Sequence, residues 1–354
     1  MSGDTAKRAT FEGDTGDGYG THRAIEPKGA LPQPAWRLDN DFTRIFRGEV
    51  LLAVETLNID AASFAQMERE GDPANIVLRT VAERGKQHNP LTGSGGMLLG
   101  RVVQIEPWGR SAGEALAVGE RVATLVSLSL TPLRIDRIRG VRAASAQMDV
   151  DGEAVLFASG AYARLPLDVG DRLALAVLDV AGAAPQVARL VKPGAVVVVL
   201  GAGGKSGILC AAEARRCGGL GACVVGVEAS ARAAEELRGL GLCDAVVAAD
   251  ARDPVALRAA VTAATGGREA DLTFSCVNMP DAELGAILVT RDRGVVYFFA
   301  MSTSFTRAAL GAEGVGKDVD LFIGNGYARG HAEHTLSLVR DMPAVRALFE
   351  ERYG

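Results

Sequence analysis

From Val196 onward, short apolar runs alternate with longer stretches of helical spacing. Val196–Leu200 reads as a strand, followed by a helix to Arg216. Ala222–Val227 is the next strand, with a helix from Ala231 to about Leu240. Ala245–Val247 is a short strand. Asp253-Pro254 then supplies a cap and a first-turn proline for a helix reaching about Ala264. Leu272–Cys276, Val295–Phe299 and Val319–Ile323 read as further strands, with a helix over Ala282–Val289. Such alternation predicts a parallel, doubly wound sheet with ligands at the strand carboxyl ends. His331–Arg340 and Ala344–Tyr353 read as closing helices.

The first half has a different rhythm. Val50–Val54, Leu98–Ile105, Arg121–Leu125 and Val155–Phe157 are β-type runs punctuated by glycine, and Gln66–Arg84 is a charged stretch, helical in part. This predicts an irregular, barrel-like β domain. A chain of 354 residues is long enough for two cores. The expected organisation is a flexible extension over 1–18, a β-rich catalytic domain over 19–185, a Rossmann dinucleotide domain over 186–325 and C-terminal helices over 326–354.

Composition narrows the partners. A net charge of −5 with mixed signs does not point to nucleic acid or an anionic membrane surface. No apolar run reaches spanning length, and residues 1–18 lack the apolar centre of a signal peptide, so a cytoplasmic protein is expected. The five cysteines lie on apolar elements without C-x-x-C pairing and read as buried, reduced thiols.

The chemistry is concentrated where the first parallel strand ends. Gly201-Ala202-Gly203-Gly204-Lys205-Ser206-Gly207 stands between a strand and a helix, the arrangement that cradles a pyrophosphate on main-chain amides. The spacing reads either as G-x-x-G-x-x-G over Gly201, Gly204 and Gly207, or as G-x-G-x-x-x-G over Gly201, Gly203 and Gly207. Glu228 ends the next strand, where an acidic residue grips the ribose of NAD. Ser230 and Arg232 lie just beyond and leave NADP open; the carboxylate favours NAD. The chain reads as a nicotinamide-dependent oxidoreductase.

Specific strings go further. These are Tyr19-Gly20-Thr21-His22-Arg23, Thr56-Leu57-Asn58-Ile59-Asp60, Glu83-Arg84-Gly85-Lys86, Asn89-Pro90, Thr92-Gly93-Ser94-Gly95-Gly96-Met97, Ala309 to Asp318, Gly324-Asn325-Gly326-Tyr327 and Gly330-His331-Ala332-Glu333. Together they resemble the L-erythro-3,5-diaminohexanoate dehydrogenase family of lysine fermentation, within a medium-chain dehydrogenase/reductase layout whose first domain is GroES-like. The resemblance implies NAD(P)-dependent oxidative deamination at C3, yielding 5-amino-3-oxohexanoate and ammonia, by an expected homodimer.

Many medium-chain enzymes hold zinc through a Cys and a Gly-His-Glu string. The matching positions here are Asp60, Gly96 and Met97, so no such zinc is expected. An amine losing hydride becomes an iminium, and no oxyanion needs a metal. The amine must instead be neutral, which calls for a base. Candidates are His22, Lys28, Asp60, Lys86 and His331, with Asp60 first because it matches the metal-ligand position and His22 and Lys86 next. Asp60 has an alternative reading as a helix cap. Glu26, Asp60 and Glu83 are candidates for the substrate's second ammonium, and Arg23, Arg84 and Lys86 for its carboxylate. Asn58, Ser63, Ser94, Asn325 and Tyr327 are candidate hydrogen-bonding residues. His331 and His334 are also spaced to share a helix face. A zinc-free enone or quinone reductase and a non-catalytic NAD(P)-binding regulator are the alternatives.

Overall fold

The computed structural model describes residues 9–10, 16–90, 93–106 and 116–354. Most of the expected N-terminal extension lies outside the described residues, as does Thr92. The chain divides into two compact units, Met1–Asp179 with Arg352–Gly354, and Val180–Glu351.

The first unit is built on an antiparallel sheet. Its strands are β1 (Glu49–Asn58), β2 (Met97–Ile105), β3 (Arg121–Thr124), β4 (Leu133–Arg142), β5 (Gln147–Phe157) and β6 (Tyr162–Arg164), in the order β6-β3-β2-β1-β5-β4. Two helices follow β1, α1 (Ala61–Glu70) and α2 (Pro73–Arg84), and α3 (Asp171–Leu178) comes after β6. Leu52, Val54 and Leu57 of β1 pack with Leu98 and Met148 from the flanking strands and with Phe64 and Val81 from the helices. β4 is an edge strand rich in arginine. Its Arg134, Arg137 and Arg142 pair across to Glu153, Asp151 and Asp149 of β5. Charge on an edge strand discourages pairing with other chains. It also hides the strand from a search for apolar runs, and β4 was not expected.

The second unit opens with α4 (Ala183–Leu190). Its parallel sheet comprises β7 (Val196–Leu200), β8 (Cys223–Glu228), β9 (Ala245–Ala248), β10 (Ala270–Ser275), β11 (Thr290–Phe298) and β12 (Asp320–Ile323). The order β9-β8-β7-β10-β11-β12 is doubly wound and reverses between β7 and β10. The helices are α5 (Lys205–Gly218), α6 (Ala231–Gly239), α7 (Pro254–Ala264), α8 (Glu283–Val289), α9 (Phe305–Val315), α10 (His331–Asp341) and α11 (Pro343–Tyr353). Every residue of β7 is buried, as a central parallel strand covered on both faces requires. Asp253 caps α7 by accepting the Ala256 N–H at 3.1 Å, with Pro254 in the first turn. Among the described residues no single helix is long and apolar enough to cross a membrane.

Candidate active site

The carboxyl ends of β7, β8 and β10 line a crevice of about 290 Å³. Gly201, Gly204, Glu228, Asp250, Arg252 and Cys276 are among its walls. Gly201 has φ +69°, a left-handed backbone that glycine adopts without strain. A Cβ on Gly207 would lie 2.1 Å from the Gly201 carbonyl oxygen and 2.7 Å from Ala202 Cα. One on Gly203 would lie 2.8 Å from Ala233 Cβ and 2.9 Å from Glu228 Oε2. Gly204, the N-cap of α5, is exposed and has its nearest such contact at 3.5 Å. Of the two readings of the motif, the structure therefore selects Gly201, Gly203 and Gly207 as the glycines that packing demands. Lys205 and Ser206 form the first turn of α5, both half-buried.

Glu228 is aimed by two amides. Its Oε2 accepts the Gly203 N–H at 3.0 Å and its Oε1 accepts the Ser230 N–H at 2.9 Å. Arg232 is exposed and paired with Glu236 at 2.8 Å. Arg252 was not singled out from the sequence, and it is held bidentate by Asp250. Cys276 lies 3.7 Å, sulfur to sulfur, from Cys210, whose thiol is pushed up by this neighbour and by burial.

In the first unit, polar side chains gather where β1 ends. Asn58 faces Gln147 of β5 in register, and the Gln147 amide donates to Asn58 Oδ1 at 3.2 Å. Asp60 caps α1, its Oδ1 accepting the Ser63 N–H at 2.9 Å. Asn89 ties the segment after α2 to this corner by donating to Ser63 Oγ at 2.7 Å. Gly95 and Gly96 close the other side. A Cβ at Gly96 would lie 2.1 Å from the Asn58 carbonyl oxygen, and one at Gly95 2.4 Å from that of Gln87. Position 96 thus has no room for a side chain. Asp60 offers one carboxylate where a catalytic zinc takes three protein ligands, and a zinc of that type does not fit this donor set. Among the described residues no group of three or more His, Cys, Asp or Glu is placed to hold a metal.

Buried polar atoms without a protein partner occur at the end of β1, in the segment after α2 and where β4 meets β5. They are Asn58 Nδ2, Asp60 Oδ2, both amide atoms of Gln87, His88 Nδ1, Arg142 Nε and Gln147 Oε1. Asn58, Gln87 and Gln147 are all 0% exposed. Each such atom costs about 1–3 kcal/mol in a folded protein unless an ordered water or a ligand group meets it. Burial, then the charges of Lys86 and Arg84, lowers the His88 pKa below 6.5. Gln87, His88 and Gln147 were not nominated from the sequence.

The remaining sequence candidates are placed elsewhere. His22 and Arg23 belong to a buried ion network. Glu49 accepts from His22 Nε2 at 2.8 Å and from the Arg23 guanidinium at 2.8 and 2.7 Å, while His22 Nδ1 lies 3.1 Å from Asp17. Both nitrogens of His22 and the Arg23 fork are therefore engaged within the fold, which leaves neither placed as a base or a substrate clamp. Lys86 is 1% exposed and donates to the carbonyls of Pro32 at 2.7 Å and Gln33 at 3.0 Å. Burial, then Arg84, brings its pKa down to about 8. Arg84 stacks over Trp36, its guanidinium carbon 3.6 Å from the ring centre. Glu26, Lys28 and Glu83 are exposed, and Ser94 is half-buried, its carbonyl accepting the Asn89 N–H at 2.8 Å. Asn325 and Tyr327 lie in the second unit, where Asn325 Oδ1 accepts the Tyr327 N–H at 3.1 Å in an exposed turn. His331 and His334 turn to different partners, Ala328 O at 2.7 Å and Glu213 at 3.1 Å, so they do not form a shared metal site.

The ion network carries a pH prediction. Burial alone would lower the His22 pKa, but hydrogen bonds and charge from Glu49 and Asp17 outweigh it and hold the value above 6.5. Burial would raise Glu49, but Arg23 and then His22 outweigh it and hold the value below 4.5. The His22 contribution is complete below 6.5 and is lost as pH rises through its raised pKa; the Glu49 contribution is present above 4.5 and is lost on acidification. The network is thus at full strength between pH 4.5 and 6.5. The thermal midpoint of wild type should exceed that of His22→Gln most in this window, with the gap narrowing as pH climbs. A gap that widens on the alkaline side contradicts the assignment.

A doubly wound sheet with a glycine turn and an aimed carboxylate has the form of a dinucleotide-binding unit, and an antiparallel unit precedes it in the chain. Solved structures agree on the fold. An alcohol dehydrogenase from Thermotoga maritima, 18% identical, superposes with a TM-score of 0.55 over 86% of this chain and 85% of that one. A mycobacterial quinone oxidoreductase, 19% identical, gives 0.53 over 87% and 82%. The chain belongs to the L-erythro-3,5-diaminohexanoate dehydrogenase family. The model of that family's N-terminal domain matches residues 22–166. The L-erythro-3,5-diaminohexanoate dehydrogenase of Acetoanaerobium sticklandii is 50% identical over 346 residues, covering 95% of this chain and 98% of the relative. That of Fusobacterium nucleatum is 47% identical over 342 residues, with the same coverage.

Proposed function

We infer that this protein oxidatively deaminates L-erythro-3,5-diaminohexanoate to 5-amino-3-oxohexanoate and ammonia, using a nicotinamide dinucleotide and no zinc. The carrying observation is the match to relatives named for this dehydrogenase along nearly the whole chain, at 50% and 47% identity. Gly201, Gly203 and Gly207 fit a dinucleotide-binding turn, since a side chain at each would strain the turn or meet the protein packed around it. When bound, the nicotinamide supplies the hydride acceptor.

The chain's own residues handle the proton and the water. A free alkylammonium has a pKa of about 10, so at pH 7 the neutral amine costs about 4 kcal/mol. Asp60 is suited to the task because its oxygens have separate duties. Oδ1 caps α1, while Oδ2 is buried without a protein partner and is the atom we assign to accept the amine proton. Once that proton has been released, the same oxygen can take one from the water that adds to the iminium and return it to nitrogen as ammonia leaves. NAD is favoured over NADP by Glu228 and Asp250 in the crevice wall, and Asp250 also neutralises Arg252. The open edge of β12, with Phe322 and Ile323 exposed, supports a homodimer, and the five free cysteines suit a reducing cytoplasm.

Purified protein given the diamino acid and NAD should form reduced cofactor and release ammonia in equal amounts. Oxidation of reduced cofactor by enones or quinones, without amine turnover, overturns this reading. A kcat/KM higher with NADP overturns the preference for NAD alone.

A further inference from the structure

Recognition of a zwitterionic diamino acid ordinarily calls for charged partners. Asp60 apart, the charged candidates are bonded within the fold, stacked or exposed: Arg23 on Glu49, Lys86 on two carbonyls, Arg84 over Trp36, and Glu26 and Glu83 at the surface. The unpartnered buried atoms at the end of β1, in the segment after α2 and at the start of β5 belong mostly to uncharged groups.

We propose that Gln87, together with Asn58 and Gln147, is the substrate-recognition set, and that Gln87 determines specificity for the diamino acid. This rests on the function given above. Gln87 is wholly buried and both of its amide atoms lack a protein partner. A side-chain amide offers N–H donors to a carboxylate and a carbonyl to an ammonium, whichever way it is turned. The placement is built. Gly95 lies against the Gln87 carbonyl, Asn89 holds the same segment to Ser63 on the helix that Asp60 caps, and Gln147 holds Asn58. Uncharged partners also serve the chemistry. With Asp60 as the one carboxylate assigned to the reacting nitrogen, a desolvated amide lining adds no further negative charge that would hold it as ammonium.

Gln87→Met, nearly equal in volume, separates recognition from structure. An amide that served the fold would be missed, and its loss would lower the thermal midpoint. An amide kept for substrate costs stability until substrate arrives, so the midpoint of the substrate-free variant should rise by about 2–4 °C. KM for the diamino acid should rise by about 10-fold or more, since a site built to hydrogen-bond its ligand loses that much when a partner is removed. Calorimetry should show the NAD affinity unchanged. Turnover by wild type with an unchanged KM in Gln87→Met overturns this assignment and leaves the function standing. A lowered midpoint with KM and NAD affinity weakened together also overturns it. Wild type that fails to turn over the diamino acid overturns both. If Gln87→Met does not fold, Gln87→Glu decides: it sets an anion against the substrate carboxylate, and an unchanged KM overturns the assignment.

Discussion

Gly207→Ala should cost the protein its dinucleotide, while Gly204→Ala, three residues away, should bind it nearly as wild type does. The difference follows from what each new methyl group would meet. At position 207 it would lie 2.1 Å from a backbone oxygen and 2.7 Å from a backbone carbon, and neither is the end of a flexible side chain. The first turn of α5 must then move away from Gly201, and the amides that face the pyrophosphate move with it. We expect cofactor affinity to fall by about 100-fold, near 2.7 kcal/mol, with kcat/KM falling in step. At position 204 the nearest such atom is 3.5 Å away and the backbone φ of −81° suits any residue. Alanine there gives up only the modest capping preference of glycine, about 1 kcal/mol or less. Calorimetric titration of both variants with NAD is the test. Equal affinities would remove the reason for assigning the cradle to this turn.

Asp60→Asn should leave the fold and cofactor affinity intact and lower kcat by about 100- to 10,000-fold. Asparagine caps helices as well as aspartate does, so the bond from the Ser63 amide survives. The atom that replaces the free carboxylate oxygen can no longer take up a proton. Asp60→Ala should show the same loss of turnover plus about 1 kcal/mol of stability from the missing cap. Comparing the two variants isolates the chemical duty from the structural one. An Asp60→Asn enzyme with wild-type kcat places the base elsewhere, and His88, its pKa lowered by burial and its Nδ1 without a protein partner, is the next group to substitute.

The second unit was the more legible in the sequence. Fully buried parallel strands are written as unbroken valine runs, and Asp253-Pro254 announces a helix start that the structure places at the same residues. β4 escaped because its alternation is carried by arginines paired across to β5, not by apolar residues. α3 escaped because Leu173 to Leu178 are all buried, and α4 because it is only eight residues long with a proline in its first turn. At the candidate site, Asn58 and Asp60 were visible through the family strings. Gln87 and His88 fall between two of those strings, and Gln147 opens a strand of which only the apolar end was read. A glutamine gives no local sign of whether its amide will find a partner; that is decided by what the fold packs around it. The charged candidates misled for the opposite reason. His22 and Arg23 look reactive in isolation, and their occupation by Glu49 depends on a strand 26 residues further along the chain.

The double hold on Glu228 has a practical result for anyone redesigning coenzyme choice. Shortening this side chain to admit a phosphorylated ribose would also release the main-chain amide of Gly203, loosening the very loop that must grasp the diphosphate. A swap at this one position should therefore weaken both coenzymes before it favours either, and a second change that steadies the loop is needed for a true reversal.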